Sequence, residues 1–494
     1  MRDKYDIVVI GSGIGGLVSA ALLSNLGKKI LVIEKEPKPG GYLNEFKRDG
    51  FTFDVSLHLL NGCNKGGYTA ELFRKCGIID DIKFLKPKYL YRSVFPDFDM
   101  RVPQTDTKAY KDMLITRFPK SRKSIEALFN EMANVFRAVN DRLSSGRFTS
   151  ALLPYAAGTC ESVISRHIKD EKLKAIIYQL WSYVGLPPSR SRAVDFCYPW
   201  FDYVNNGGYY LEKGSYEIIR QLVRRIKAAG GDFLFNKSVD GIATDNGSCR
   251  KVIFGKDEVI CDTIISNIDL NKTIHNLIGC EKFPSQSVKK IGDIEPSISA
   301  FEIFLGLDAD MKNLYPDDYE IFVNADYDTD KQYKDCVSNA AKAAPFVITI
   351  NSNVNEFSAS NGKSVVSVIM LAGYKCWDLK SKEEYQDKKE KTTDILLARA
   401  SRIIPEIKTR LRKKVVATPI TFERYTNNVR GAIYGYARTI GRKKEVRPND
   451  MKGIKNLYFA SAWARPGSGV VKVLRSAEDI CGKISKCAYE SAAV

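Results

Sequence analysis

The six residues Gly11-Ser12-Gly13-Ile14-Gly15-Gly16 restrict what this chain can fold into more than any other stretch of it. Before them, Ile7 to Ile10 read as a short buried strand. After them, Leu17, Val18, Ala20, Ala21, Leu22 and Leu23 read as one apolar helix, and Ile30 to Ile33 as a second strand closing on Glu34. Gly11 allows the tight turn, Gly13 lets backbone amides approach a diphosphate, and Gly16 lets helix and strand pack closely. The diphosphate then rests on a helix N-terminus, where amides without helical partners and the helix dipole favour negative charge. Glu34 stands eighteen residues beyond Gly16, near the place of an acid that hydrogen-bonds a ribose hydroxyl, with Lys35 beside it. A lone glycine fingerprint is weak evidence. Flanked by two strands and followed by the acid, it predicts a dinucleotide-binding unit.

Ile7 to Gly27 carries no charge, yet glycine and serine interrupt it before Ala20 and leave no apolar helix of spanning length. Met1 to Asp6 mixes Arg2 and Lys4 with Asp3 and Asp6, unlike a signal peptide. A chain of 494 residues predicts two domains or one elaborate one. The unusual bulk property is a net charge of +18. Its basic runs are short: Arg117, Lys120, Arg122 and Lys123; Lys408, Arg410, Arg412, Lys413 and Lys414; Arg442, Lys443 and Lys444. With no glycine-rich RNA motif, a solvated surface or an anionic membrane fits them better than nucleic acid. Eleven scattered cysteines without Cys-x-x-Cys pairs point to buried thiols in a reducing compartment. Three histidines, His58, His167 and His275, are too few for a histidine-rich metal centre.

Further along, Gly40-Gly41 marks a second close approach of backbone to a ligand. Asp49-Gly50 predicts a hairpin between Phe46 and Phe53. Residues 67 to 205 read as mainly helical, with an amphipathic helix over Ser124–Arg142 and another over Glu161–Trp181. The aromatics Phe196, Tyr198, Trp200, Phe201, Tyr203, Tyr209 and Tyr210 form either a core or an apolar ligand wall. Strands then resume after the helix beginning at Tyr216, with Asp245-Asn246-Gly247 as a hairpin turn. From Ser297 the strands imply a second, antiparallel sheet. Leu457 to Ala460 reads as a late strand, and Gly467-Ser468-Gly469-Val470 as a second glycine loop opening a helix. The fold class expected is α/β, in three parts: a discontinuous nucleotide-binding domain (1–66, 206–290 and 440–494), a helical insertion (67–205) and a substrate sheet (291–439).

In order and spacing, these segments resemble the FAD-dependent amine-oxidase-like superfamily, and within it the phytoene desaturase, carotenoid isomerase and retinol saturase group. Four places carry the match over nearly the whole chain. They are Gly11–Gly16 with Glu34; Gly40-Gly41 leading to Asp49-Gly50-Phe51-Thr52-Phe53-Asp54 and His58; Gly208-Tyr209-Tyr210 to Gly214 with Ala229-Gly230-Gly231 and Val239; and Leu457 to Val470. The resemblance implies FAD held by Gly11, Gly13, Ile14, Gly15, Gly16, Glu34, Lys35, Gly40, Gly41, Tyr42 and the backbone of Val239, with Gly467, Ser468, Gly469 and Val470 beside the flavin ring. It also implies a long apolar polyene, isoprenoid or acyl chain at the flavin face, with Tyr209, Tyr434 and Tyr436 as candidate pocket residues. The plain desaturases usually follow the paired glycines with arginine; here Tyr42 stands there.

The chemistry expected is hydride transfer to or from flavin, giving desaturation, saturation or double-bond isomerisation, with the cofactor carrying the hard step. No catalytic triad is needed or found. His58 and Glu302 are the candidate proton handlers, His58 the better because it follows the flavin-side loop. A single dinucleotide fingerprint leaves quinone or oxygen as electron acceptor. The rival readings are a flavin amine oxidase and a non-catalytic prenyl-lipid binder of the same fold. The protein is expected in the cytoplasm, peripheral at the inner, anionic face of a membrane.

Overall fold

The computed structural model describes residues 2–145, 150–440 and 450–492. The basic run Arg442, Lys443 and Lys444 lies outside them. Its first sheet is built around β1 (Lys4–Ile10), followed by helix α1 (Ile14–Ser24) and β2 (Ile30–Ile33). β1 pairs in parallel with β2 on one side and with Asp257–Ser266 on the other. Asp232–Leu234 extends the sheet in parallel beyond β2, and Leu457–Phe459 lies parallel to the end of Asp257–Ser266. The hairpin Gly241–Asp245 and Ser248–Phe254 adds antiparallel strands to the first half of Asp257–Ser266. Every residue of β2 is buried, as a parallel strand covered on both faces requires. Helices α1, Tyr216–Ala228 and Val470–Ala492 pack together over one face, so the chain's end returns to its beginning.

The second sheet runs in the order Leu411–Ala417, Ser299–Leu307, Ser364–Ala372, Phe346–Thr349, Glu320–Val323, Tyr89–Phe95, Phe98–Pro103. It is antiparallel except between Glu320–Val323 and Tyr89–Phe95. The last two strands are an exception within residues 67–205, which are otherwise mainly helical as expected. Tyr89-Leu90-Tyr91-Arg92-Ser93-Val94-Phe95 is an aromatic and β-branched run bounded by Pro87 and Pro96, which favours a pleated edge over a helix. The rest of that stretch is helical, and Arg122–Ser145 buries Ile125, Leu128, Phe129, Met132 and Val135 along one stripe. The helix expected over Glu161–Trp181 is instead Cys160–His167 and Glu171–Ile177, because the Asp170 side chain accepts from Leu173 N and restarts the helix there. Phe196 and Trp200 turn out to be core: Trp200 meets the Phe129 ring edge-on at 5.5 Å. The basic run after Lys408 ends in the edge strand Leu411–Ala417, where Arg412, Lys413 and Lys414 discourage further strand pairing. Among the described residues no helix is long and apolar enough to cross a membrane.

The hairpin Glu45–Arg48 and Phe51–Asp54 joins the two sheets. Asp49 (φ +50°) and Gly50 (φ +83°) make its turn, and Phe51 packs where a side chain on Gly306 would stand. Asp54 closes the joint by accepting from Tyr210 Oη, Ser215 N and Ser215 Oγ.

Candidate functional site: a glycine cradle beside an apolar cavity

Helix α1 starts on Gly13 with no side-chain cap, so its first-turn amides have no partner within the helix or from a capping side chain. The turn before it leaves no room for side chains. A Cβ on Gly15 would lie 2.1 Å from Ala460 O, and one on Gly16 2.5 Å from Gly11 O. The second glycine pair crosses this turn: Gly40 N donates to Ser12 O at 3.0 Å, and Gly41 stands against Gly13. The third glycine loop, with Gly467 at φ +115° and Gly469 at φ +91°, opens the helix Val470–Ala492, and Val473 of that helix packs on Gly15. Three segments far apart in sequence thus meet at two helix N-termini. A side chain on Gly469 would meet nothing within 4 Å, so the cradle has an open wall there. Backbone amides, two positive helix ends and glycine clearance together fit a diphosphate. Asn267, which sequence reasoning passed over, clamps the floor, donating through Nδ2 to Ala460 O with Oδ1 against Gly13.

Glu34 is buried behind the turn and holds it. Ser12 N donates to Glu34 Oε2 at 2.8 Å and Glu36 N to Oε1 at 3.0 Å. Ser12 Oγ also donates to Oε2, at 2.5 Å, so it is Oε1 that keeps a lone pair for a further donor. Val239 follows the segment whose Lys237 N donates to Glu34 O, which brings its backbone to the same end of the cradle. Lys35 turns away, and its Nζ donates to Arg424 O at 2.8 Å. Tyr42 donates to Ala432 O at 3.1 Å, and burial pushes its hydroxyl up to about 12, so it supplies no charge where arginine would.

The cavity lies against the second sheet. It holds about 50 Å³ of free space, walled by Trp181, Phe322, Phe346, Val347, Ile369 and Leu371. Tyr434 also lines it, packs on Gly185, and leads to Gly435, which stands against Ala462 of the late glycine segment. Tyr209 and Tyr436 do not line it. Tyr209 pairs by backbone with Leu60, and Tyr436 is buried edge-on against Trp463 at 4.7 Å. Tyr436 follows Gly435 (φ +61°) and Tyr209 lies two residues after Gly207 (φ +90°), and these turns carry the rings elsewhere.

His58 lines the cavity, and its Nδ1 lies 2.7 Å from Glu320 Oε1 and 3.1 Å from Thr349 Oγ1. The carboxylate contact is short but poorly aligned for a hydrogen bond, and Oε1 has no other partner among the described residues. Tyr183 Oη donates to Glu320 Oε2 at 2.5 Å. Burial, reinforced by the Glu320 charge, pushes the Tyr183 hydroxyl far above its ordinary range, so it remains a donor. Glu320, whose side chain is 0% exposed, was missed by sequence reasoning. The available signal was an acid inside the apolar run Tyr319-Glu320-Ile321-Phe322-Val323.

The sequence matches the family described as flavin containing amine oxidoreductase over residues 14–484. The chain belongs to that family. It is 26% identical to all-trans-retinol 13,14-reductase of Danio rerio, over 92% of this chain and 82% of that protein. It is 23% identical to 4,4'-diapophytoene desaturase (4,4'-diaponeurosporene-forming) of Staphylococcus aureus, over 96% of this chain and 97% of that protein. The solved structure of wild-type putrescine oxidase bound to putrescine has the same fold, with TM-score 0.67, 13% identity, 98% of this chain covered and 99% of that one. This flavin oxidoreductase therefore uses FAD, which when bound accepts or releases a hydride.

Beside the late glycine loop, the buried carboxylate of Asp195 takes Arg438 Nη2 at 2.8 Å and Lys472 Nζ at 3.1 Å. Burial pushes that carboxyl up, but the two cations outweigh it and hold it below its ordinary value. The second candidate proton handler, Glu302, has a different setting. It is 2% exposed, lies across from Ile369 on the cavity face, and its Oε2 has no partner among the described residues. Burial, with Asp54 adding repulsion, pushes its carboxyl well above the carboxylate range. The folded state therefore holds this proton more tightly than the unfolded chain does. The stability it contributes is fully present at low pH and is lost as pH rises toward the raised value. Glu302→Gln should unfold at higher temperature than the parent at pH 8. The gap should grow by up to about 1.4 kcal/mol per pH unit on going up from about pH 5, measured by thermal unfolding across that range.

Proposed function

We propose that the enzyme moves a hydride between FAD and a carbon of a long apolar polyene, isoprenoid or acyl chain lying in the cavity, so that the chain is desaturated, saturated or isomerised. The observation that carries this reading is the cavity wall. Trp181, Phe322, Phe346, Val347, Ile369 and Leu371 make its apolar part, His58, Gln179, Ser182, Tyr183, Asn324 and Tyr434 its polar part, and among the described residues no lysine, arginine or aspartate lines it. The two curated relatives support it by their printed activities on a retinoid and on a diapophytoene. In this reading Gly11, Gly13, Ile14, Gly15, Gly16, Gly40 and Gly41 hold the diphosphate, Glu34 the ribose, the Val239 backbone the adenine, and Gly467–Val470 the ring side.

The chain's own residues then handle the proton. Bound FAD would supply the hydride acceptor for desaturation, and His58 Nε2 takes the second hydrogen as a proton while the carbon pair gains a double bond. Saturation runs the same transfers backwards. With Nδ1 hydrogen-bonded to Thr349 Oγ1 and set against the Glu320 carboxylate, Nε2 is the nitrogen with no partner among the described residues. The apolar wall excludes water and strengthens the His58–Glu320 pairing. The electron acceptor in this reading is quinone or oxygen.

Extraction of the purified protein's bound lipid, with mass spectrometry alongside its visible spectrum, tests the assignment. A yellow protein carrying an isoprenoid or acyl chain is expected. A colourless protein that retains a prenyl lipid and takes up no FAD would make it a lipid carrier instead.

We further propose, from the apolar substrate class and the charge of +18, that the protein works at an anionic membrane surface, at the cytoplasmic face. Leu143 and Leu153 are exposed at one end of the helical region and serve as the insertion points. The protein should float with anionic vesicles at low salt, and L143E/L153E should abolish flotation. Failure of the parent protein to float would remove this placement.

A further inference from the structure

The cavity is not apolar along its whole length. Tyr178–Tyr183 forms a tight helical turn that brings Gln179, Trp181, Ser182 and Tyr183 to its wall. Opposite runs the strand Glu320–Val323, which places Glu320 toward His58, Phe322 in the wall, and Asn324 just beyond its far end. Four residues of extended chain span about 13 Å. The cavity therefore has two polar ends, with Phe322 between them.

At the far end Gln179 is 3% exposed and Asn324 5% exposed. Asn324 Nδ2 donates to Gln179 Oε1 at 2.9 Å, and Ser93 Oγ donates to the same oxygen at 2.5 Å. Asn324 N donates to Val94 O at 2.8 Å, which fixes the residue on the neighbouring strand. These bonds engage one polar atom of each amide. Gln179 Nε2 and Asn324 Oδ1 have no hydrogen-bond partner among the described residues, and Ser182 Oγ in the same wall is buried without one. A donor and an acceptor thus stand side by side at the end of an otherwise greasy slot, held in place by Ser93 and Val94.

Unpaired amide atoms in such a place cost free energy that a matching ligand group recovers. A hydroxyl both donates and accepts, so it matches the pair. A hydrocarbon end leaves both atoms unpaired. A carboxylate arrives charged, and among the described residues no lysine or arginine lines the cavity to compensate its lost hydration.

We infer that Gln179 and Asn324 form a subsite for a hydroxyl on the end of the apolar chain, with the chain running past Phe322 toward His58. The inference rests on the reading of this cavity as the chain's site. It makes a chain alcohol the preferred substrate class over the matching hydrocarbon or acid.

The test is equilibrium binding to the full-length, FAD-loaded protein, followed by quenching of tryptophan fluorescence, since Trp181 is in the wall. Three probes are compared: all-trans-retinol, the same skeleton with its hydroxyl replaced by hydrogen, and retinoic acid. Retinol should bind about tenfold to a hundredfold tighter than the hydrocarbon, and the acid more weakly than retinol. Q179M and N324L should each cut retinol affinity by about tenfold while hydrocarbon affinity stays level or rises. That loss of preference separates a binding role from a structural one, because a damaged fold weakens all probes alike. Equal binding of retinol and hydrocarbon by the parent protein, as when ordered water fills the subsite, overturns the inference. So does an equal loss for every probe in both variants. If no probe binds at all, the cavity is not the chain's site and the reading beneath the inference falls with it.

Discussion

Gly13→Val should purify folded and colourless. Gly13 has φ −67° and ψ 170°, which any residue adopts, so the substitution does not strain the backbone. Its first side-chain atom would lie 2.5 Å from Asn267 Oδ1, and the branched methyls would enter the space between the glycine loops. The diphosphate would lose its close approach to the α1 amides, and Asn267 would be pushed off Ala460 O. FAD affinity should fall at least about a hundredfold, since helix-end amide contacts to an anion are charge-assisted and several are lost together. Added FAD at about a hundred times its dissociation constant should stabilise the parent by about 2.7 kcal/mol and the variant hardly at all. Thermal unfolding with and without FAD, alongside far-ultraviolet circular dichroism, reads both halves of this result.

His58→Gln should lose about 10²-fold in turnover while keeping its FAD and its chain affinity, because it removes the proton acceptor and leaves the walls intact. Glu320→Gln should fall less, by about tenfold. It keeps the volume and an acceptor for Tyr183 but removes the charge 2.7 Å from His58 Nδ1. Glu302→Gln should leave turnover nearly unchanged, because Glu302 stands outside the cavity wall. If Glu302→Gln loses turnover and His58→Gln does not, the two residues have been assigned the wrong roles.

The parts that were readable in the sequence are those written in local rules. The βαβ unit is a glycine turn between apolar runs, and both hairpin turns are written as Asp or Asn followed by glycine. Asn246 and Gly247 adopt the left-handed values, φ +48° and +71°, that this pairing favours. The strands Tyr89–Phe95 and Phe98–Pro103 form a hairpin hidden inside a helical stretch, because the strand that draws it into the sheet, Glu320–Val323, pairs with Tyr89–Phe95 from more than two hundred residues away. The cavity was the least readable part. His58, Tyr183, Glu320 and Thr349 come from four separate segments: sheet register sets Glu320 opposite Thr349, and only the tertiary fold brings His58 and Tyr183 to them. Tyr209 and Tyr436 sat in the right motifs, but neither ring reaches the cavity. Tyr42 shows the converse. Its departure from arginine read as a missing charge, and the structure gives it a separate role holding the loop at Ala432.

The central claim is that this protein presents an apolar chain to bound FAD. The most direct measurement is a single anaerobic turnover, once with oxidised and once with reduced protein, in which an isoprenoid alcohol and a conjugated polyene are recovered and weighed by mass spectrometry. The account predicts a chain changed by two hydrogens with a matching change in the flavin spectrum, or a moved double bond with the spectrum unchanged. Chains recovered unaltered from both forms, while an amine bleaches the flavin, would contradict it.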